Sequence, residues 1–264
     1  MTDSSFRPDA TPPLHGEERN VDTRWLRGEL VAPWWEIAAI LLVVIGPFAG
    51  RSIWMAFQGS SSHFINLLLT NSRLLSGAII ESALLAALLG YLRWRGWTAH
   101  DFKIKPGWLS TLEGIPLFVA VLAANFVTVS TLFALIFVLQ STYNSLYAFL
   151  LAYNPQPEFH SIHVGWILLI GTMILNAFFE EMTCMGYAFN QFAAKRGPFF
   201  ALVVTVSVRM SCHIYQGPVH MLGIGMVFLI FGLWYWYTRN LWPLIAGHAL
   251  LDIASTGLMK IFFG

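Results

Sequence analysis

Charge is what this sequence has least of. Asp, Glu, Lys and Arg together make up 11% of its 264 residues, where soluble domains carry about a quarter. A chain so poor in charge cannot clothe itself in a solvated surface, and that excludes an ordinary soluble domain. The little charge present nearly cancels, at a net +1. There is no basic patch to meet a phosphate backbone, so no nucleic-acid partner is expected. Cysteine is scarce as well: Cys184 and Cys212 are the two in the chain, and both lie inside apolar runs. That placement suits small buried hydrophobes and excludes a disulfide framework. Residues 1–33 lack the apolar stretch that a secretory signal keeps close to Met1. They are polar, contain Pro8, Pro12 and Pro13, and read as a disordered cytoplasmic tail. Trp25–Trp35 could be laid along a membrane surface as a short amphipathic helix.

What remains is apolar. Hydrophobic residues are 56% of the chain, mean hydropathy is +0.62, and there are 21 Phe and 11 Trp. The solvent of such a chain is lipid. A spanning helix needs about 20 mostly apolar residues, and seven runs qualify. They are approximately Trp35–Phe57, Leu74–Leu92, Ile115–Leu139, Val164–Phe192, Pro198–Ile214, Pro218–Tyr237 and Leu241–Phe262. The expected fold is therefore all-α: a polytopic integral membrane bundle of about seven helices over residues 34–264. An eighth would have to hide in 141–160, where Leu146–Tyr153 is apolar but too short to span. Trp34, Trp35, Trp108, Trp166 and Trp242 fall near run ends, as an aromatic belt at headgroup depth requires.

Orientation follows from the placement of Lys and Arg. With seven spans, one side receives eleven of the fifteen: Arg7, Arg19, Arg24, Arg27, Arg93, Arg95, Lys103, Lys105, Lys195, Arg196 and Arg239. The other receives Arg51, Arg73 and Lys260, while Arg209 falls inside a span. This puts the N-terminus in the cytoplasm and the C-terminus outside. An eighth span would reduce the split to nine against five, so the count favours seven. Short loops and the absence of an organelle signal suggest a bacterial inner membrane.

Ionisable residues inside a span are costly and mark function by default. Here they are Glu81, Glu180, Glu181, Arg209, His213, His248 and Asp252, and six of the seven lie in the C-terminal half. Arg209 and His213 are four residues apart, as are His248 and Asp252, so each pair shares a helix face. Glu180 and Glu181 point about 100° apart and cannot play one role. One can face a cavity while the other finds a partner on a neighbouring helix. Three chemistries stay open for such a set. A desolvated carboxylate can activate water, with an imidazole as second acid/base group and another stabilising an oxyanion. Glu with two His is a known catalytic zinc set. Proton-relay residues of a transporter look similar.

At these same residues the sequence resembles a known family, the CPBP intramembrane proteases. These include the type II CAAX prenyl endopeptidases and the bacteriocin-processing or immunity proteins. Glu180-Glu181-Met182-Thr183-Cys184-Met185-Gly186 resembles the family's Glu-Glu-x-x-x-Arg motif. His213 stands where a second motif ends in His, and His248-Ala249-Leu250-Leu251-Asp252 matches a third, His-x-x-x-Asn/Asp. The resemblance covers about residues 165–255. It implies an endopeptidase that cleaves a peptide or membrane-protein substrate at membrane depth, within the lipid bilayer. Glu180 would activate water, His213 would assist, and His248 with Asp252 would stabilise the tetrahedral intermediate. No cofactor is then expected; zinc held by Glu180, His213 and His248 is the metal-dependent alternative. Two positions depart from the pattern. Met185 stands where the family has Arg, and Arg209 stands four before His213, where an aromatic is usual. The two together imply a swap, with Arg209 reaching from the next helix to pair with Glu181. The other outcome is an inactive family member serving as a membrane scaffold or immunity protein.

Lesser expectations concern Glu81 as a structural polar contact or a group lining a substrate cavity, Asn125 and Asn176 as interhelical polar contacts, and Gly223, Gly225 and Gly232 as sites of close helix packing.

Overall fold

The computed structural model describes residues 30–58, 70–140 and 164–263. Among these every regular element is a helix. Most of the 1–33 tail and the 141–160 stretch lie outside the described residues. The helices are α1 (Trp34–Val44), α2 (Gly46–Gln58), α3 (Asn71–Trp94), α4 (Trp108–Gln140), α5 (Trp166–Arg196), α6 (Pro198–Ser211), α7 (Pro218–Thr238) and α8 (Trp242–Phe263). Helices are what lipid permits, because every backbone N–H and C=O must be satisfied within its own segment. Four of the eight begin at Trp34, Trp108, Trp166 and Trp242, the residues that the aromatic belt requires.

Five helices, α3, α4, α5, α7 and α8, are long and apolar enough to cross a membrane unaided. The protein is an all-α, multi-pass integral membrane bundle. The other two runs need qualification. The first is broken into α1 and α2, which meet at 58°. Gly46-Pro47 is the cause: the proline has no N–H to bond the preceding turn, and its ring disfavours a helical residue before it. The run expected over Pro198–Ile214 is helical only to Ser211, about 21 Å at 1.5 Å per residue. That falls short of the ~30 Å hydrocarbon core. Its last bonds tighten to Cys212 N–H onto Arg209 O and His213 N–H onto Met210 O. A 3₁₀ turn over Ile214–Gln216 follows, and Gly217 at φ 85° with Pro218 after it starts the return helix.

The helices pack around the later part of the chain. α8 lies between α4 and α5; α5 also packs on α3 and α6; α7 closes the bundle against α4 and α6. Glycines set how close these neighbours come. A Cβ on Gly114 of α4 would fall 2.7 Å from the Ala246 Cβ and 3.0 Å from the Gly247 nitrogen of α8, so these two backbones touch. On α7, a Cβ at Gly225 would meet Met210 Sδ at 2.8 Å, and one at Gly232 would meet Leu202 Cδ1 at 2.3 Å. A Cβ at Gly223 would meet Asn125 of α4, so all three α7 glycines are packing sites. Tyr187, Phe189, Phe231, Tyr235 and Leu244, in α5, α7 and α8, are among the most enclosed side chains. By contrast α4 turns Phe126, Val127, Phe137 and Val138 outward, toward what the composition makes lipid.

Candidate active site

The centre of the site is one carboxylate oxygen. Glu181 Oε1 takes Arg209 Nη2 at 2.5 Å and lies 2.8 Å from His248 Nδ1. This joins α5, α6 and α8 through three side chains that are all buried. Glu180, one residue earlier, accepts from the same Arg209 nitrogen at 3.2 Å but keeps 20% of its side chain exposed, against none for Glu181. The 100° between adjacent helix positions has separated them as expected: one carboxylate is sealed in the bundle and its neighbour faces open space.

The cluster extends down α8. His248 Nε2 lies 3.6 Å from Asp252 Oδ1, and Asp252 Oδ2 accepts from Asn176 Nδ2 at 2.9 Å. Asn176 is four residues before Glu180 on α5, so both sit on the α5 face turned to α8. The sequence offers that i,i+4 spacing, yet on sequence grounds Asn176 is no more than an interhelical contact. Beneath the polar groups lies an aromatic floor from α7. Arg209 Cζ stacks 3.9 Å above the Phe228 ring, while His248 packs against Phe228 and Phe231 at 6.1 Å and 5.7 Å between ring centroids. A guanidinium flattened on an apolar ring sheds its water without losing all electrostatic support.

His213 comes to this centre less tightly. It follows the end of α6, its ring 5.7 Å from that of Phe228 and within electrostatic reach of Glu180 and Arg209. Its Nδ1 lies 3.4 Å from Gln216 Nε2. Glu81 on α3 is within electrostatic reach of Glu180 and Asp252, so it belongs to the surroundings of the site as well as to α3.

The local backbone of α5 is unusual. Met182–Phe189, immediately after the two glutamates, winds as a π-helix. Such segments are rare and recur at functional sites. Here the Asn190 amide supports the widened turn, donating to Gly186 O at 2.9 Å and to Tyr235 Oη at 2.8 Å. Met185 lies in this segment, fully buried, with its methyl 3.6 Å from where a Gly232 Cβ would stand. The position of the missing motif arginine is thus filled by an apolar side chain packed on α7, and the guanidinium comes from α6.

The order of the motifs, their three helices and their meeting at Glu181 point one way. Residues 162–254 match the family model of the type II CAAX prenyl endopeptidase Rce1-like proteins. Over that stretch the chain is similar to the CPBP family. The matched part is a little over a third of the chain and contains every residue of the cluster except Glu81. No curated protein and no solved structure matches the chain. The CPBP family is one of intramembrane proteases, and that is the setting in which the cluster is read. As for a zinc set of Glu180, His213 and His248, among the described residues no three His, Cys, Asp or Glu side chains stand together as metal ligands.

Proposed function

We propose that this protein is an intramembrane endopeptidase in which Glu180 activates the water that attacks the scissile carbonyl. The observation that carries this reading is the asymmetry of the two glutamates. Glu181 is consumed by Arg209 and His248 at full burial, while Glu180 retains an exposed edge beside the same group. A general base must reach its water, and Glu180 is the carboxylate of the pair that can. In the proposed cycle Glu180 takes a proton as the water oxygen bonds to the carbonyl carbon. The tetrahedral intermediate then collapses, and the nitrogen leaves with a proton returned from Glu180 or from His213. Glu181, Arg209 and His248 hold the three helices in register around that step, and Asp252 with Asn176 fixes the far side of His248. The substrate is a peptide bond presented at membrane depth.

One contact favours the second reading, an inactive family member used as a membrane scaffold or immunity protein. The Arg209–Glu180 ion pair at 3.2 Å occupies the oxygen that would serve as base. The deciding experiment incubates detergent-purified protein with a library of apolar peptides and compares it with Glu180→Gln. Cleavage by the wild type and none by Glu180→Gln, with equal thermal stability, is the expected result. Equal activity of the two proteins would end the proposal for Glu180. A wild type that cleaves nothing, including after zinc is added, would support the scaffold. Loss to a chelator with recovery in zinc would favour the metal-dependent set.

A further inference from the structure

Among the buried polar atoms of the described residues, Arg209 Nε and Nη1 have no hydrogen-bond partner. Arg209 is 2% exposed, and Nη2 alone makes its contacts to Glu180, Glu181 and His248. Buried N–H groups are almost always paired, and an orphan beside a reactive centre needs an explanation. Orphaned donors on a fully charged guanidinium are the more unusual, because such groups gain most from an acceptor.

The groups that the family resemblance assigns to the intermediate already have partners. His248 Nδ1 lies 2.8 Å from Glu181 Oε1, and its Nε2 stands 3.6 Å from Asp252 Oδ1. Asp252 is an acceptor, and its Oδ2 already takes the Asn176 amide. Arg209 on α6, by contrast, holds two buried donors of this cluster that have no partner.

We infer that Arg209 is a catalytic residue of this protease: its Nη1–H, on the same guanidinium edge as the Nη2 that meets Glu180, receives the oxyanion of the tetrahedral intermediate. The inference rests on the endopeptidase reading above. As the water oxygen bonds to the carbonyl carbon and its proton passes to Glu180, the carbonyl π electrons move onto oxygen. The new negative charge lies beside the guanidinium that already touches Glu180. On collapse those electrons re-form the C=O bond, the C–N bond breaks, and the amine leaves with the proton. Phe228 beneath the guanidinium excludes water from one face, which strengthens the interaction. The arginine displaced from position 185 to position 209 is thus more than a replacement ion pair, because it arrives on the helix that also carries His213.

The test separates the donors from the charge. Arg209→Lys keeps a cation for Glu181 but removes the extra N–H groups. It should keep the thermal stability and KM of the wild type while kcat falls about 100-fold, the usual loss for one oxyanion donor. A peptide phosphinate, whose anionic tetrahedral centre mimics the intermediate, should bind the wild type more tightly than the matching amide. Arg209→Lys should lose that preference. If wild type cleaves and Arg209→Lys keeps either kcat or the phosphinate preference, the inference fails while the endopeptidase reading stands. If wild type neither cleaves nor prefers the phosphinate, both fall. Should Arg209→Lys not fold, Met185→Arg with Arg209→Phe returns a guanidinium to Glu181 from α5. Stability without activity in that protein supports the assignment, and wild-type kcat overturns it.

Discussion

Adjacent residues carry opposite burdens at positions 180 and 181. Glu181 is buried with Arg209 and His248 both on its Oε1, and its Oε2 has no partner. Removing it leaves Arg209 with Glu180, at 3.2 Å and partly exposed, as its one carboxylate partner. Loss of one partner of a buried pair typically costs about 3–5 kcal/mol, so Glu181→Ala should unfold at markedly lower temperature or fail to accumulate in the membrane. Glu180→Ala, from a partly exposed site, should unfold near the wild type. Thermal unfolding of the two variants in one detergent measures the contrast, and equal loss from both would show that Glu181 is no keystone. This much was legible in the sequence. Spacing separated the two glutamates, and the paired departures at Met185 and Arg209 called for a guanidinium arriving from the next helix; it does arrive. The place of Asn176 was not legible, because its role depends on which face of α5 meets α8. That is fixed by tertiary packing, and composition does not carry it.

At the scale of elements, run length located the helices well, since an apolar stretch of about 20 residues has few other uses. Hydropathy is blind to how the backbone is bonded. It therefore missed that the run after Lys195-Arg196 stops being helical at Ser211, and that Met182–Phe189 winds as a π-helix. It also passed over a backbone-to-backbone helix contact. Gly223, Gly225 and Gly232 suggested themselves because they recur along one apolar run, whereas Gly114 stands alone in α4. Yet Gly114 meets backbone atoms of α8 that cannot step aside: the Gly247 nitrogen at 3.0 Å and the Pro243 oxygen at 3.2 Å. Gly114→Ala should therefore push α4 off α8 and cost about 1–3 kcal/mol, the usual range for overpacking. At Gly90 on α3 an added Cβ would meet nothing within 4 Å. Gly90→Ala should be neutral or stabilise by up to about 1 kcal/mol, since glycine is the poorer helix former. A denaturation series in mixed micelles orders the two, and the reverse order would contradict the packing of α4 on α8.

At the scale of the whole molecule, the contacts sort the helix ends onto two faces without reference to charge. Glu36 pairs with Arg95 at 3.1 Å, and Gln191 bonds the backbone of Leu30 and Ala32. Lys103 O accepts from Leu241 N–H, and Arg239 reaches Asn190. The start of α1, the ends of α3, α5 and α7 and the starts of α4 and α8 therefore share one face. On the opposite face Asn71 caps Gly165, Lys260 reaches Val164, and Phe133 packs on His220. α1 begins on the first face and α3 on the second, and the α1–α2 pair, bent by 58°, is long and apolar enough to be one broken span. α4 runs from the first face to the second, α5 starts on the second, and α8 runs from the first to the second. The face with Arg93, Arg95, Lys103, Lys105, Lys195, Arg196 and Arg239 is the cationic one, and we propose that it is cytoplasmic. A phosphatase and fluorescent-protein reporter pair checks this. Fused after Gly264, the phosphatase should be active and the fluorophore dark. Inserted between Lys195 and Gly197, the fluorophore should shine. A cytoplasmic signal at Gly264 together with an outer signal at Lys195 would invert the molecule and set the charge rule aside for this chain. Cytoplasmic signals at both sites would contradict the two-faced arrangement itself, and with it the α8 crossing that brings His248 to Glu181.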